Sequence, residues 1–493
     1  MQKIQEYTIF GRQVIYVIAA GIATVVIGII QIPIITRALG PSQYGAWTLI
    51  ISANSLITPF AMLGFGLSIV RFMAAEKDTD KIREDFLSAC TLVLASGFGF
   101  SLLFFLLSGF LATSVLKDAS LSSYLRLSSI LILLNSMFPI LLAFFRRAGR
   151  IEIFSLLNLG LSALQVGLTI LFLSLGYKLM GVIVAALLSA VTLDVIGTFM
   201  ILRKIGLKRP KLSNMKTYLK WGLPLTPSTA IQWIISVSDR YIVNYFLGVA
   251  TTGIYNAADV IGGYSSFALL PVGIVLFPII SRKYDEGNLD ECRDYFKYSF
   301  KYLMMFTIPA SVGLFLLAKP LLRILTTPEF ISGSSVLGLA ALGALLSCLS
   351  TITMYVIYLV GKTEIEVRLL TIAAALNFLL NIIFVPHIGI VGGELSSIIA
   401  YIVLGGLCLI ISRKYLKFDL SLPFVIRYAI SSGLMALFIW LINPHSIEMV
   451  FVSIIVGIIT YIGVLILIRG FTKIELAFFI GFIHDGFKGI LGR

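Results

Sequence analysis

The 493-residue chain is 58% hydrophobic and 12% aromatic but only 13% charged, against about 45–50% apolar and about 25% charged residues in soluble domains. Its mean hydropathy of +1.00 is a whole-chain average, so the apolar excess is spread along the sequence and a single anchor on a soluble body is excluded. The net charge of +14 would point to nucleic acid in a soluble protein, but here it sits in short segments between apolar runs, where it is a topology signal.

In chain order the apolar runs cover 14–35, 45–70, 86–111, 121–145, 152–175, 179–202, 221–247, 253–281, 299–318, 333–360, 366–385, 390–412, 424–442 and 447–468. A helical span takes roughly 20 apolar residues, so each run is read as one span of an all-α polytopic protein. No segment between runs exceeds roughly thirty residues, too short for a catalytic domain of about 100. The first run follows Lys3, Glu6 and Tyr7 without a small-residue cleavage site, so a retained helix without a signal peptide is expected. With the N-terminus inside, the inner segments, taken as 282–301, 361–368 and 413–427 where they overlap the ends of runs, hold 31 of the 38 Lys and Arg residues, from Lys3 and Arg12 onward and including Lys301. The outer segments hold Arg37, Lys117, Lys178, Lys319 and Arg323, while Arg126 and Arg240 fall inside runs. The positive-inside rule then places both termini in the cytoplasm.

Leu39-Gly40 with Gly45 recurs as Leu247-Gly248 with Gly253, an offset of 208. Arg71 and Arg282 close the second and eighth runs at an offset of 211, and Gly149 to Ile153 and Gly361 to Ile365 open the fifth and eleventh at 212. The expected organisation is a six-helix lobe over 1–208, a second over 209–415, and two further helices with a cytoplasmic tail over 416–493. A repeat unit with an even number of spans implies a pseudo-two-fold axis along the membrane normal, as in transporters whose substrate site lies between lobes.

Ionisable groups within a bilayer cost about 2.5–3.5 kcal/mol on insertion scales, so each asks for a function or a partner. Ser228, Gln232, Ser236, Asp239, Arg240 and Asn244 share one stripe of the seventh run, after Pro224 and Pro227, which should bend or break the helix. The eighth carries Asn256, Asp259, Gly263 and Ser266; further stripes are Asn158, Ser162, Gln165 and Thr169, the pair Asn377 and Asn381, and Glu394, Ser397 and Tyr401. The competing reading is that Arg240 pairs with Asp239 or Asp259 to hold two helices, and that Ser and Asn are interhelical glue. Glu152 and Glu364 open helices and suit the N-terminal dipole, and Arg146, Arg147 and Arg150 suit topology. Cys90, Cys292, Cys348 and Cys408 and the histidines His387, His445 and His484 are scattered, so no metal site or disulfide framework is read. There is no GxxxxGK[ST] loop for a nucleotide and no acidic metal cluster, so an enzyme is not expected.

Trp221-Gly222-Leu223-Pro224-Leu225-Thr226-Pro227, Ser238 to Val243, Tyr245 to Gly248 and Gly253-Ile254-Tyr255 together resemble Wzx-type polysaccharide flippases. So do Arg37 to Pro41, Tyr44-Gly45, Gly64 to Leu67 and Arg71-Phe72, and the resemblance covers essentially the whole chain. It implies the multidrug/oligosaccharidyl-lipid/polysaccharide exporter superfamily, a MATE-like fold, and translocation of a polyprenyl-diphosphate-linked oligosaccharide from the inner to the outer leaflet. The uncharged stretch Gly21 to Ile30 disfavours the peptidoglycan-precursor branch. Arg240 is the first candidate for the diphosphate, with Arg37 and Arg126 on the outer side and Arg71 and Arg282 at the inner mouth. Gln232, Ser236 and Asn256 would meet sugar hydroxyls. Asp239, Asp259, Glu394 and Asp194 are candidates to couple a proton or Na+, with no resident cofactor. Expected partners are the lipid-linked glycan, membrane lipid, a polysaccharide polymerase and glycosyltransferases, and no nucleic acid. The alternatives are a cation-coupled small-molecule antiporter of the same superfamily and a membrane-embedded glycan polymerase or ligase, the latter disfavoured by the short outer segments.

Overall fold

The computed structural model describes residues 2–73, 76, 78–212, 215–269, 272–273, 277–471 and 475, with side chains from residue 16 onward except at 225 and 278. The side chains of Lys3, Glu6, Tyr7 and Arg12, and the whole of Lys77, His484 and the tail beyond 475, lie outside that description. All regular structure among the described residues is helical: α1 Gln2–Ala61, α2 Phe65–Met73, α3 Thr79–Phe110, α4 Ser122–Arg147, α5 Ile151–Ser174, α6 Lys178–Ile205, α7 Met215–Gly222 and α8 Thr226–Leu247. There follow α9 Val249–Gly263, α10 Phe277–Asp285, α11 Leu289–Leu325, α12 Ser334–Leu359, α13 Thr363–Ile388, α14 Ile390–Tyr415, α15 Leu422–Ile442 and α16 Ile447–Leu467.

Eleven stretches among the described residues are long and apolar enough to cross a membrane, against fourteen runs in the sequence. The difference has three local causes. Runs one and two are joined through Gly40, whose φ of 65° and ψ of 177° fold α1 back on itself; a left-handed φ suits Gly, and Pro41 after it tolerates a helix start because its missing N–H has no intrahelical partner there. The seventh run lies in α8, where Gln232, Asp239, Arg240 and Asn244 dilute the apolar residues. The eighth is not one helix: α9 passes into a 3-10 turn at Tyr264–Ala268, and α10 begins separately at Phe277. Pro224 sits in the 3-10 turn Leu223–Leu225 that separates α7 from α8.

Among the first six helices α4 packs on α3 and α6, and α5 on α6 and α1. In the second set α12 packs on α9, α11 and α14, α13 on α8 and α14, and the α15–α16 pair docks on α11. The seam between the sets is largely α1 against α9 and α8. Repeat-related glycines share backbone geometry there: Gly248 has φ 87° and ψ 169°, close to Gly40, and Gly149 and Gly361 have φ of 67° and 68°.

One basic residue of the expected inner connector is buried. Lys301, read from sequence as part of the inner connector, lies within α11 and is 2% exposed. Its ammonium contacts both carboxylate oxygens of Glu475 at 2.8 and 2.7 Å, and Tyr302 donates its hydroxyl to Glu475 Oε1 at 2.7 Å. Phe424 on α15 lies 3.8 Å from the same ammonium. A buried cation needs such a partner, and the pair ties the segment after α16 back to α11.

Candidate substrate and ion site

The polar stripe of α8 meets α9 and α1 in the C-terminal half of the helix. Arg240 donates Nη2 to Asp259 Oδ2 of α9 at 3.0 Å, and its Nη1 is 3.5 Å from Ser52 Oγ of α1. Asp239 does not pair with Arg240 through side chains: its Oδ1 accepts the Arg240 backbone N–H at 2.8 Å, and its Oδ2 accepts the Tyr255 hydroxyl. Glu394 of α14, 3% exposed, lies within electrostatic reach of Tyr255, Asp239, Asp259 and Arg240. Three carboxyl groups therefore surround one guanidinium. Arg240 Nε, Glu394 Oε1 and Asn256 Oδ1 are buried without a hydrogen-bond partner among the described residues.

Helix α1 supplies the facing wall. Asn256 donates to the Tyr44 hydroxyl at 3.2 Å and to Thr48 Oγ1 at 3.0 Å. Tyr241 donates to the Leu49 carbonyl at 2.8 Å, and Trp233 Nε1 to Ser55 Oγ at 3.0 Å. Tyr44 also lines a cavity of about 220 Å³ with Gly28, Gln31, Trp47, Gln165 and Tyr264, between α1, α5 and the end of α9. Tyr44 and Tyr255 entered the sequence reading only as motif residues and Thr48 and Ser52 not at all, although Tyr44, Thr48 and Ser52 recur every four residues, the spacing of one helix face.

The other predicted positions are dispersed. Gln232 and Ser236 are exposed on α8, and the Ser236 hydroxyl bonds the Gln232 carbonyl of its own helix at 2.9 Å. Arg126 is exposed at the edge of α4, where its Nε meets Ser108 of α3 at 3.2 Å. Arg71 lies over the Trp221 ring at 4.6 Å, and Arg282 is exposed near Glu286 at 3.9 Å. Arg37 donates to the Ile324 carbonyl and Thr36 to the Leu325 carbonyl at 3.4 Å. Those carbonyls close α11 and have no intrahelical donor, so α1 caps the end of α11. Asn244 reaches the Leu116 carbonyl at 3.3 Å, and Lys117 lies 3.6 Å from the Tyr245 ring centroid. Asn377 and Ser397, 3.2 Å apart, join α13 to α14, as the interhelical reading expected. Asn158 bonds the Phe154 carbonyl of its own helix at 3.0 Å. Asp194 stands apart from the cluster on α6. Lys208, in the connector after α6, is held above the usual lysine range chiefly by its bond to Glu84.

A family model described as "Polysaccharide biosynthesis protein" matches residues 34–334. The chain is similar to the "Probable low-salt glycan biosynthesis flippase Agl15" of Haloferax volcanii, 22% identical over 53% of this chain and 56% of that protein. It spans about half the length of the curated relatives it matches, 45% and 56% for two of them. Its fold is similar to that of the solved structure "Lipid II flippase MurJ, inward closed conformation", with a TM-score of 0.76 at 18% identity over 92% of this chain and 98% of that one. A structure described as the inward-facing conformation of a multidrug resistance MATE family transporter of the MOP superfamily aligns with a TM-score of 0.69 at 17% identity, over 81% and 97%. The chain is an all-α multi-pass membrane protein of this fold, and by the match to 34–334 it belongs to the polysaccharide biosynthesis protein family.

Proposed function

We propose that the protein is a flippase that moves a polyprenyl-diphosphate-linked oligosaccharide from the cytoplasmic to the outer leaflet for surface glycan assembly. The observation that carries this reading is Arg240, a guanidinium at membrane depth held by Asp259, whose buried Nε has no hydrogen-bond partner among the described residues. A diphosphate cannot enter hydrocarbon unpaired. Guanidinium offers it charge-assisted, bidentate hydrogen bonds. The lipid tail stays in the bilayer while Asn256, Tyr44 and Gln165 offer hydrogen bonds to sugar hydroxyls.

Alternating access between two six-helix lobes, with α15 and α16 outside them, is supported by contact between repeat-related residues across the seam. The outer seam is closed by Thr36, Arg37 and Asn244, while the stripe of α8 is exposed at Gln232 and Ser236. A polar face exposed at membrane depth favours a wet inner vestibule over lipid. Arg71 and Arg282 remain inner-mouth candidates, and the charge bias keeps both termini in the cytoplasm.

Coupling follows from charge balance. Asp239, Asp259 and Glu394 exceed Arg240 by two negative charges when all are ionised. A diphosphate that takes Arg240 from Asp259 leaves that carboxylate in need of a proton or Na+. A transmembrane potential supplies about 2.3 kcal/mol per charge per 100 mV.

Deleting the gene in its host and measuring lipid-linked oligosaccharide and surface glycan by mass spectrometry tests the reading. Accumulated lipid-linked units with lost surface glycan are expected. Unchanged glycans with altered drug susceptibility would replace it by the cation-coupled antiporter, which the same carboxylate cluster serves.

A further inference from the structure

Asp194 lies on α6, far from the three carboxyl groups around Arg240 in sequence and on a different helix. The helix exposes Val191, Val195 and Phe199 on one side and packs Ile183, Ala190, Leu193, Gly197 and Ile201 on the other. Asp194 belongs to the packed side and is 7% exposed. It is 16 residues from the outer end of α6 and 11 from the inner end, about 24 and about 17 Å at the helical rise, so it sits deep in the bilayer. Neither carboxyl oxygen has a hydrogen-bond partner among the described residues.

The surroundings offer no cation. Helix α6 packs on α4, α5 and α1. The Leu141 side chain of α4 lies 3.2 Å from where a Cβ of Gly197 would be, and Leu193 of α6 lies 3.6 Å from that of Gly160 on α5. Residues 127–145 of α4 and 153–174 of α5 contain no titratable side chain. The charged groups of these helices stand at the ends: Arg126, Arg146 and Arg147 on α4, and Glu152 on α5. Among the described side chains of α1, the titratable ones are Tyr16, Arg37 and Tyr44. Among the described residues no charged side chain is an electrostatic partner of Asp194. An ionised carboxylate there would be buried with neither a donor nor a counter-charge, at a cost the neutral acid avoids.

We propose that Asp194 is a proton-carrying site. It holds a proton as a neutral carboxylic acid in this conformation and releases it when a rearrangement of α4, α5 and α6 admits water, so that proton movement accompanies the transport cycle. A bound metal cation does not serve here, because it would require several oxygen ligands and Asp194 provides two. The site is separate from the Arg240 cluster. The link to a cycle rests on the transporter reading, but the protonation state does not.

The test uses the full chain in membranes with dicyclohexylcarbodiimide. This lipid-soluble reagent adds to a protonated carboxyl: the acid proton moves to one carbodiimide nitrogen, the carboxylate oxygen attacks the central carbon, and acyl migration gives an N-acylurea without a leaving group. Peptide mass spectrometry is expected to find the adduct on Asp194, falling as pH is raised and missing in Asp194→Asn. Infrared difference spectra between the two proteins should show the carbonyl stretch of a protonated acid in the wild type alone. Absence of both adduct and stretch overturns the proposal, whatever the substrate proves to be. For the cycle, Asp194→Asn should fold, reach wild-type levels and lose surface glycan, while Asp194→Glu restores it. Wild-type glycan in Asp194→Asn overturns the coupling role even where the adduct forms. If gene deletion leaves glycans unchanged while the adduct persists, the flippase reading fails and the proton site stands.

Discussion

Asn256 donates its side-chain amide to Thr48, its own counterpart 208 residues earlier, at 3.0 Å. The same relation joins Gly45 and Gly253: a methyl group added to either would overlap the carbonyl of Val249 or of Pro41, and these two are again 208 residues apart. Helices α1 and α9 thus cross at equivalent points of the repeat, with backbones in contact, as small residues permit between membrane helices.

That crossing predicts a stability effect. Gly45→Ala and Gly253→Ala should each destabilise by about 1–3 kcal/mol through overpacking, whereas Gly99→Ala, with nothing within 4 Å of the added carbon, should not. Both variants strain one contact, so the double variant should cost less than their sum. Thermal unfolding in detergent measures all four proteins; equal melting of Gly45→Ala and Gly99→Ala would contradict the crossing.

Arg240→Ala should stop glycan export and lower stability by less than the about 3–5 kcal/mol of a fully buried pair, because Arg240 and Asp259 keep 16% and 26% exposure. Adding Asp259→Asn removes the orphaned charge. Stability should then recover in part while export stays absent, since the diphosphate partner is still missing. Surface glycan and melting temperature read the two effects separately.

At the outer seam, Arg37→Ala removes the donor to the Ile324 carbonyl. The seam should open more often. A cysteine replacing Thr326, a residue 4% exposed next to that contact, should react faster with a membrane-impermeant maleimide in the Arg37→Ala background. The native cysteines Cys90, Cys292, Cys348 and Cys408 are buried and give little background. Equal labelling rates would mean that the contact does not hold the seam.

Removing one member of the Lys301–Glu475 pair, at 2% and 8% exposure, should cost about 3–5 kcal/mol, because the other charge stays buried. Lys301→Met with Glu475→Leu should restore most of the melting temperature lost in Glu475→Ala. A loss in the double variant as large as in the single one would show that the carboxylate, and not the pairing, is what the segment needs.

Much of this was legible in the chain. The composition and the apolar runs led to an all-α membrane protein, and the L-G-x4-G repeat singled out Gly45 and Gly253. The polar stripes marked Arg240, Asp259 and Asn256 as unusual, because hydrocarbon tolerates such residues only for a reason. The eighth run was harder, since hydropathy does not distinguish one helix from a helix, a 3-10 turn and a second helix of similar composition. The burial of Lys301 was not legible, because its partner Glu475 lies 174 residues away, beyond any local pattern.

The helical faces, the clustering of Lys and Arg in alternate connectors and the recurring L-G-x4-G spacing were legible in the sequence alone, because each depends on spacing within one helix or between neighbouring segments. Only the tertiary structure decided that Arg240 pairs with Asp259 while Asp239 accepts the Tyr255 hydroxyl, that Arg126 stands apart, and that Asp194 has no hydrogen-bond partner among the described residues. Periodicity assigns a residue to a face, but which face lies opposite depends on how helices pack, and that is settled by contacts among residues far apart in the chain.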